Sequence, residues 1–204
     1  MTKAAKKKTA ANPYVQGIIN AAYNQQKLGN RSQAEVLYNQ VLKEEPGNPF
    51  ALYGLGALAL NGGQMPKAVE LLQAAIVNGY REATAYSHLG IALQTSGRLD
   101  EALEVYAAGL KKYPKDPSWV NNTSVVLAQK GDLEGALKES HLVIKNFPKD
   151  PRAYLNAGQY LTELTRYDEA EGMFRKVLEL EPGHLQATAA LVSVGKLRVD
   201  AARK

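Results

Sequence analysis

The sequence contains no cysteine, and it contains no apolar run approaching the roughly 18 residues that a membrane-spanning helix requires. Without cysteine, the chain has no disulfide, no thiol nucleophile and no thiolate metal ligand. Its basic start also lacks the apolar middle part of a secretory signal. We therefore expect a cytoplasmic protein that does not span a membrane.

The sequence also has little excess of one charge sign outside the N-terminus. The chain has 25 basic and 20 acidic residues, and the stretch from Met1 to Pro13 contains four lysines and no acid. We predict that residues 1–12 form a disordered basic tail and that the rest of the chain is nearly neutral. Weak contact of this tail with nucleic acid, anionic lipid or an acidic partner is the alternative. Four lysines without interleaved aromatic residues are poor evidence for it, so we expect no nucleic-acid partner.

Sequence motifs of catalytic and metal-binding sites are missing as well. The three histidines, His88, His141 and His184, do not share a helix at metal-ligand spacing. The sequence has no zinc-protease motif, no P-loop and no nucleophile elbow. We therefore predict that this chain is not an enzyme, with no catalytic residue, no metal site and no cofactor.

What the sequence does contain is a constant period of 34 residues, which is typical of a repeat protein. Alanine, glycine and proline each recur with the same step at their own place in the unit. The series are Ala34, Ala68, Ala102, Ala136 and Ala170; Gly29, Gly63, Gly97 and Gly131; and Pro46, Pro114, Pro148 and Pro182. Thr165 holds the fifth glycine slot, and Tyr80 holds the missing proline slot.

Each repeating unit predicts two helices. In residues 117–150, Asp116 is suited to cap a first helix that begins with Pro117, and Gly131 is suited to end it. The second helix stops before Pro148, because the residue before a proline avoids the α region. A single helix pair cannot bury its own apolar face, so neighbouring pairs must stack.

This pattern resembles the tetratricopeptide repeat. The resemblance rests on the glycine and alanine spacing, the terminal proline, the Leu-Gly pairs at 55–56 and 89–90, and an aromatic residue four positions after the alanine. It implies an all-α, right-handed α-solenoid of five helix-turn-helix repeats with a C-terminal capping helix, in a single domain over residues 13–204. The repeats are 15–48, 49–82, 83–116, 117–150 and 151–184, and the capping helix is 185–204. The sequence departs from the repeat pattern at Tyr80, Thr165, Ser140 and Leu72. We expect these departures to change the local geometry of the junctions, chiefly between repeats two and three.

The resemblance also implies that the first helix of each repeat lines a concave groove that holds partners. Positions 2, 5, 6, 9 and 13 of each repeat face this side, and they are mostly amides, hydroxyls and aromatic or aliphatic residues. A nucleic-acid groove would need lysine and arginine, whereas a neutral amide bonds to a peptide backbone through its donor and its acceptor. The predicted peptide-binding residues are Asn20, Tyr23, Phe50, Tyr53, His88, Asn121, Asn122, Arg152, Asn156 and Gln159.

Three of these amides, Asn20, Asn122 and Asn156, share position 6 of their repeats. They resemble a partial version of the asparagine ladder in the repeats of O-linked N-acetylglucosamine transferase. The alternative is that they only solvate a polar helix face or bond to the next helix. The basic clamp of the chaperone-binding branch of the family is absent, so chaperone C-termini are not expected ligands.

We therefore predict a non-enzymatic scaffold or adaptor that binds an extended or helical peptide segment of a protein partner. One alternative is a targeting or substrate-recognition module of a larger enzyme, such as a transferase, or of a complex. Self-association through exposed repeat ends is another. Trp119 occupies a slot that is small in the other repeats, and we expect its ring to wedge between repeats four and three.

Overall fold

The computed structural model describes residues 12–201 and residue 203, which form eleven α-helices and no strand. Residues 1–11 of the predicted basic tail lie outside the described residues. The helices are α1 (Pro13–Lys27), α2 (Arg31–Glu44), α3 (Pro49–Asn61), α4 (Met65–Val77), α5 (Ala83–Thr95), α6 (Leu99–Lys112), α7 (Ser118–Gln129), α8 (Leu133–Asn146), α9 (Pro151–Glu163), α10 (Tyr167–Leu180) and α11 (Leu185–Ala201).

The chain divides into two compact units, which we describe separately. The first unit ends at Ser96 and contains α1 to α5; the second begins at Gly97 and contains α6 to α11. In each unit, helices pack on their neighbours in the sequence. The first helices of successive repeats also contact each other, as α1 contacts α3 and α7 contacts α9. The predicted all-α fold of helix-turn-helix repeats with a closing helix is confirmed, while the single-domain division stays a prediction.

The helix ends follow the periodic residues. Asn12, Asn48 and Asp150 accept a hydrogen bond from a backbone N–H of the first helical turn, and a proline follows each of them. This proline has no N–H to leave unsatisfied. The first helices end at a residue with positive φ, which lies between 72° and 86° at the four glycines and is 61° at Thr165. A threonine therefore adopts a backbone conformation in which its Cβ is unfavourable.

The junction after α4 differs from the junctions after the other second helices. Gly79 has a φ of 107°, and the backbone N–H of Tyr80 donates to the carbonyl of Ala75 over 2.9 Å. This bond closes a Schellman motif, which a proline at residue 80 could not donate to. The substitution of tyrosine for proline thus changes how the helix ends, and it places an aromatic side chain at this junction.

Trp119 is buried and lies against α6 of the preceding repeat, as its size predicted. A Cβ added to Gly109 would be 2.6 Å from two atoms of the Trp119 ring. Three of the four equivalent pairs elsewhere join a valine and an alanine: Val41 and Ala51 share one core cluster, Val143 and Ala153 another, and Val177 and Ala187 a third. The fourth pair, Ala75 and Ala85, has alanine at both positions. Repeat four inverts this pairing, because its tryptophan takes the space that Gly109 leaves.

Ser140 replaces the aromatic residue that Tyr38, Tyr106 and Phe174 supply at the same slot of other repeats. The side chain of Ser140 is buried nonetheless. Close to this hairpin, Tyr160 of α9 is buried and its hydroxyl lies 3.3 Å from that of Ser124. This buried contact between Ser124 and Tyr160 joins repeats four and five.

Candidate functional site

The first unit contains a cavity of about 370 Å³ between α1, α2, α3 and the start of repeat three. Five of the predicted site residues lie together around it, namely Asn20, Tyr23, Phe50, Tyr53 and His88. The remaining lining residues are Gln16, Ile19, Gln26, Tyr38, Ala57, Asn61 and Tyr80. None of these lining side chains belongs to an acid, a lysine or an arginine.

One wall of the cavity is a column of parallel rings. The ring centroids of Tyr53 and Tyr80 are 4.2 Å apart with an angle of 12° between their planes, and His88 stacks with Tyr53 at 5.6 Å and 4°. Phe50 meets Tyr80 edge-on at 5.4 Å. The side chain of Tyr80, which the altered junction after α4 provides, therefore completes the column.

Tyr38 forms a buried part of the lining, and Gly54 makes room for its ring. A Cβ at residue 54 would lie 2.3 Å from Cζ of Tyr38, so any larger residue would displace the ring. Burial raises the pKa of Tyr38 to about 12, and burial also raises the pKa of Tyr80 to about 12. Both phenols therefore stay neutral across the physiological range of pH.

Amide side chains form the polar part of the lining. Nε2 of Gln16 donates to Oδ1 of Asn20 over 3.1 Å, and the Tyr38 hydroxyl donates to Oε1 of Gln26 over 3.0 Å. Each of these bonds uses one of the two lone pairs of the amide oxygen. Each of these two amides keeps its NH₂ group as a donor.

Two groups set the electrostatics of the cavity. Burial lowers the pKa of His88, which keeps the imidazole neutral at pH 7, and its Nδ1 atom is buried without a hydrogen-bond partner among the described residues. At the rim, the ammonium group of Lys27 lies 5.3 Å from the centroid of the exposed Tyr23 ring. The cavity itself is therefore uncharged, with the Lys27 cation beside it.

The predicted residues of the second unit fall in different surroundings. Asn121 is buried and donates to Oδ2 of Asp150 over 3.1 Å, while Arg152 forms a two-pronged ion pair with the same carboxylate. The Arg152 guanidinium and the two side-chain hydrogen bonds lower the pKa of Asp150 against the opposing effect of burial. Asn121 thus supports a junction, whereas Asn122 and Asn156 are partly exposed on α7 and α9.

Gln159 lies at another cavity of the second unit, of about 420 Å³, between α9, α10 and α11. Thr162, Glu163, Phe174 and three residues of α11 also line it. The lining of this cavity includes the acid Glu163 and lacks the ring column of the first cavity. In the first unit the structure brings five of the ten predicted residues together at one cavity; the other five lie in the second unit, where Asn121 and Arg152 share the Asp150 junction.

Seven lining residues of the first cavity are outside the ten predicted ones. Four of them, Gln16, Ile19, Ala57 and Asn61, lie at repeat positions predicted to face the groove, whereas Gln26, Tyr38 and Tyr80 do not. Tyr38 was recognised only as a repeat-defining aromatic residue, and Tyr80 only as an exception to the proline series. The sequence offers one indication of this contact at Gly54. A glycine at position 6 of a repeat predicts that a neighbouring side chain fills the space that a larger residue would occupy. Gly54 alone could not identify that side chain as the ring of Tyr38.

Metal and membrane sites are not found in the part of the chain that the structure describes, residues 12–201 and 203. No three histidine, aspartate or glutamate side chains of this part lie close enough together to hold a metal ion. Within the same part of the chain, no helix has both the length and the hydrophobicity needed to cross a membrane.

Comparison with protein families identifies the repeat. Three family models, each described as a tetratricopeptide repeat, match residues 26–89, 88–140 and 151–184. The chain belongs to the tetratricopeptide repeat family, as the sequence pattern predicted, and no catalytic family is among these matches. A comparison with curated protein sequences found no match.

Solved structures share the fold. YrrB, described as a tetratricopeptide repeat protein with an unusual peptide-binding site, is 22% identical over 85% of this chain and 89% of its own, with a TM-score of 0.70. MamA from residue 41 onward, from Desulfovibrio magneticus RS-1, is 19% identical over 86% and 99%, with a TM-score of 0.77. A tetratricopeptide repeat protein from Parabacteroides merdae ATCC 43184 is 18% identical over 94% and 76%, with a TM-score of 0.80.

Proposed function

We propose that this protein is a non-enzymatic adaptor that binds an extended segment of a protein partner at the aromatic cavity of its first unit. The observation that carries the proposal is the pair of exposed rings at the cavity, since Tyr23 is 54% and Phe50 51% exposed. Large aromatic side chains that remain exposed beside a cavity are typical anchors of protein interfaces. The amides between them supply hydrogen bonds for a peptide backbone.

The lining argues against other classes of ligand. A nucleic-acid or phosphate site requires several basic side chains to replace counterions, and among the described residues no lysine or arginine lines this cavity. A catalytic site requires a nucleophile or an acid-base pair at hydrogen-bond distance. The His88 imidazole has no carboxylate beside it in the lining, because no acid of the described residues lines the cavity.

YrrB, which shares this fold, is described as having a peptide-binding site. The similarity to YrrB establishes a shared fold and does not identify a ligand. The residues that would bind the partner are therefore argued from this chain alone.

The test is selection from an unbiased library of displayed peptides on the full-length protein. We expect peptides to be enriched on the unaltered chain and their affinity to fall about tenfold or more in the Tyr23→Ala/Phe50→Ala variant, because two exposed anchors are removed. The matched control is Tyr14→Ala, which removes another exposed ring of α1 that does not line the cavity. Peptides that bind the double variant and the unaltered chain equally well would refute the proposed site, and so would a selection that enriches none.

A further inference from the structure

We infer that the segment bound at this cavity contains proline and adopts the polyproline II conformation. This inference rests on the function proposed above and adds the chemical class of the ligand. Three properties of the cavity lead to it: its charge, its remaining hydrogen-bonding groups and the shape of its ring column.

The charge of the cavity favours an uncharged ligand. Among the described residues, no lysine, arginine, aspartate or glutamate lines it, and the side chains of Tyr38, Tyr80 and His88 are neutral. Lys27 at the rim opposes a lysine or arginine of the ligand, and the lining offers no acid to pair with one. A single exposed cation is also too little to hold an acidic segment, since an exposed ion pair contributes about 0–1 kcal/mol.

The hydrogen-bonding groups include free donors for a ligand that accepts. The side-chain oxygens of Asn20 and Gln26 each already accept one bond within the protein, from Gln16 and Tyr38. Their NH₂ groups remain as donors toward a ligand. A proline-rich segment suits this arrangement, because each proline offers a carbonyl oxygen and has no N–H that would need an acceptor.

The exposed rings of Tyr23 and Phe50 favour rigid apolar groups of the ligand, and the ring column forms a wall beside them. Tyr80 and His88 each stack on Tyr53, with angles of 12° and 4° between the ring planes, and Tyr23 and Phe50 add exposed rings beside them. Proline-rich segments dock on aromatic-lined grooves of this kind, since the polyproline II helix is preformed and little conformational entropy is lost on binding. Helices supply most of the lining, and a free sheet edge that could pair with a β-strand ligand is not found in the described residues.

Direct titration tests the ligand class. A fluorescein-labelled decapeptide of proline is titrated with the full-length protein and followed by fluorescence anisotropy, and a glycine-serine decapeptide and a lysine-rich decapeptide serve as comparison probes. We expect the oligoproline to bind about tenfold tighter, or more, than either comparison peptide. Equal binding of the three peptides would overturn the inference.

One variant tests the donor argument separately from folding. Asn20→Asp keeps the shape of an exposed side chain and keeps an acceptor for Gln16, but replaces the free NH₂ group with a second oxygen. We expect oligoproline affinity to fall about tenfold, because a carbonyl would then face a carboxylate. Asn24→Asp makes the same charge change on the exposed surface of α1 away from the cavity and should leave affinity unchanged. Equal affinities of both variants would contradict the inference.

The two proposals fail in different ways. If the display library returns peptides that depend on Tyr23 and Phe50 but lack proline, the adaptor function stands and the proline class is wrong. If the library returns no such peptide and oligoproline does not bind, both are wrong.

Discussion

The contact between Trp119 and Gly109 gives a sharp test of how the repeats pack. Gly109→Val would introduce the residue that occupies the same slot at residues 41, 143 and 177. The first added carbon already lies 2.6 Å from the Trp119 ring, which is 1% exposed and has no free space to move into. Overpacking of this kind costs about 1–3 kcal/mol, and the better helix propensity of valine offsets only a few tenths of a kcal/mol. We expect a net loss of about 2 kcal/mol in the free energy of unfolding.

Trp119→Ala should cost more, because it empties the space that the indole fills. Removing a buried tryptophan side chain costs about 3–5 kcal/mol. The double variant Gly109→Val/Trp119→Ala recreates the valine-alanine pair of three other junctions, such as that of Val143 with Ala153. We therefore expect it to recover about 2 kcal/mol relative to the sum of the single losses, within the range of measured couplings between contacting residues.

Urea titration followed by far-ultraviolet circular dichroism measures all four proteins, including the unaltered chain. The lone tryptophan gives an independent signal for the Gly109→Val protein, since its fluorescence reports on this one contact. Strictly additive losses in the double variant would refute the packing argument, because the two residues would then not share one space.

Three further outcomes are expected. Thr165→Gly should raise the free energy of unfolding by about 1 kcal/mol by relieving the positive φ, whereas Gly131→Ala at the equivalent slot should lower it; thermal melting that moves both in the same direction would contradict this. Because burial lowers the pKa of native His88, the unfolded chain binds the extra proton as the pH falls below about 6.5. Stability should therefore decline there, and His88→Gln should flatten that slope in urea titrations at several pH values; an unchanged slope would be inconsistent. Asn122→Ala/Asn156→Ala should leave the melting temperature unchanged, because both side chains are partly exposed on their helices; a clearly lower melting temperature would show that these amides are used in the fold.

Most of the fold could be predicted from the sequence because the period repeats the same local signals. The caps at Asn48 and Asp150, the glycines that end the first helices and the small residues at close contacts each act within one or two turns of helix. Such signals depend on a residue and its immediate neighbours. The helix-turn-helix repeats and the closing helix followed from them.

The cavity was only partly predictable, because it depends on contacts between helices. Helix geometry placed Asn20, Tyr23, Phe50, Tyr53 and His88 on one face of their repeats. Whether an amide on that face is exposed or used in the fold depends on what the next helix brings, which is why Asn121 is buried against Asp150 while Asn122 is not.

The Tyr80 junction has a consequence for how such arrays acquire new properties. A proline there would fix the turn and would present only its small ring. With tyrosine, the N–H groups of Gly79 and Tyr80 satisfy the helix end, and a large side chain becomes available for other use. Diversity can therefore enter a repeat protein at one linker at a time, while the hairpins on either side keep their common sequence. Grafting the Asn-Gly-Tyr segment of residues 78–80 onto other tetratricopeptide arrays would be a direct way to engineer recognition surfaces.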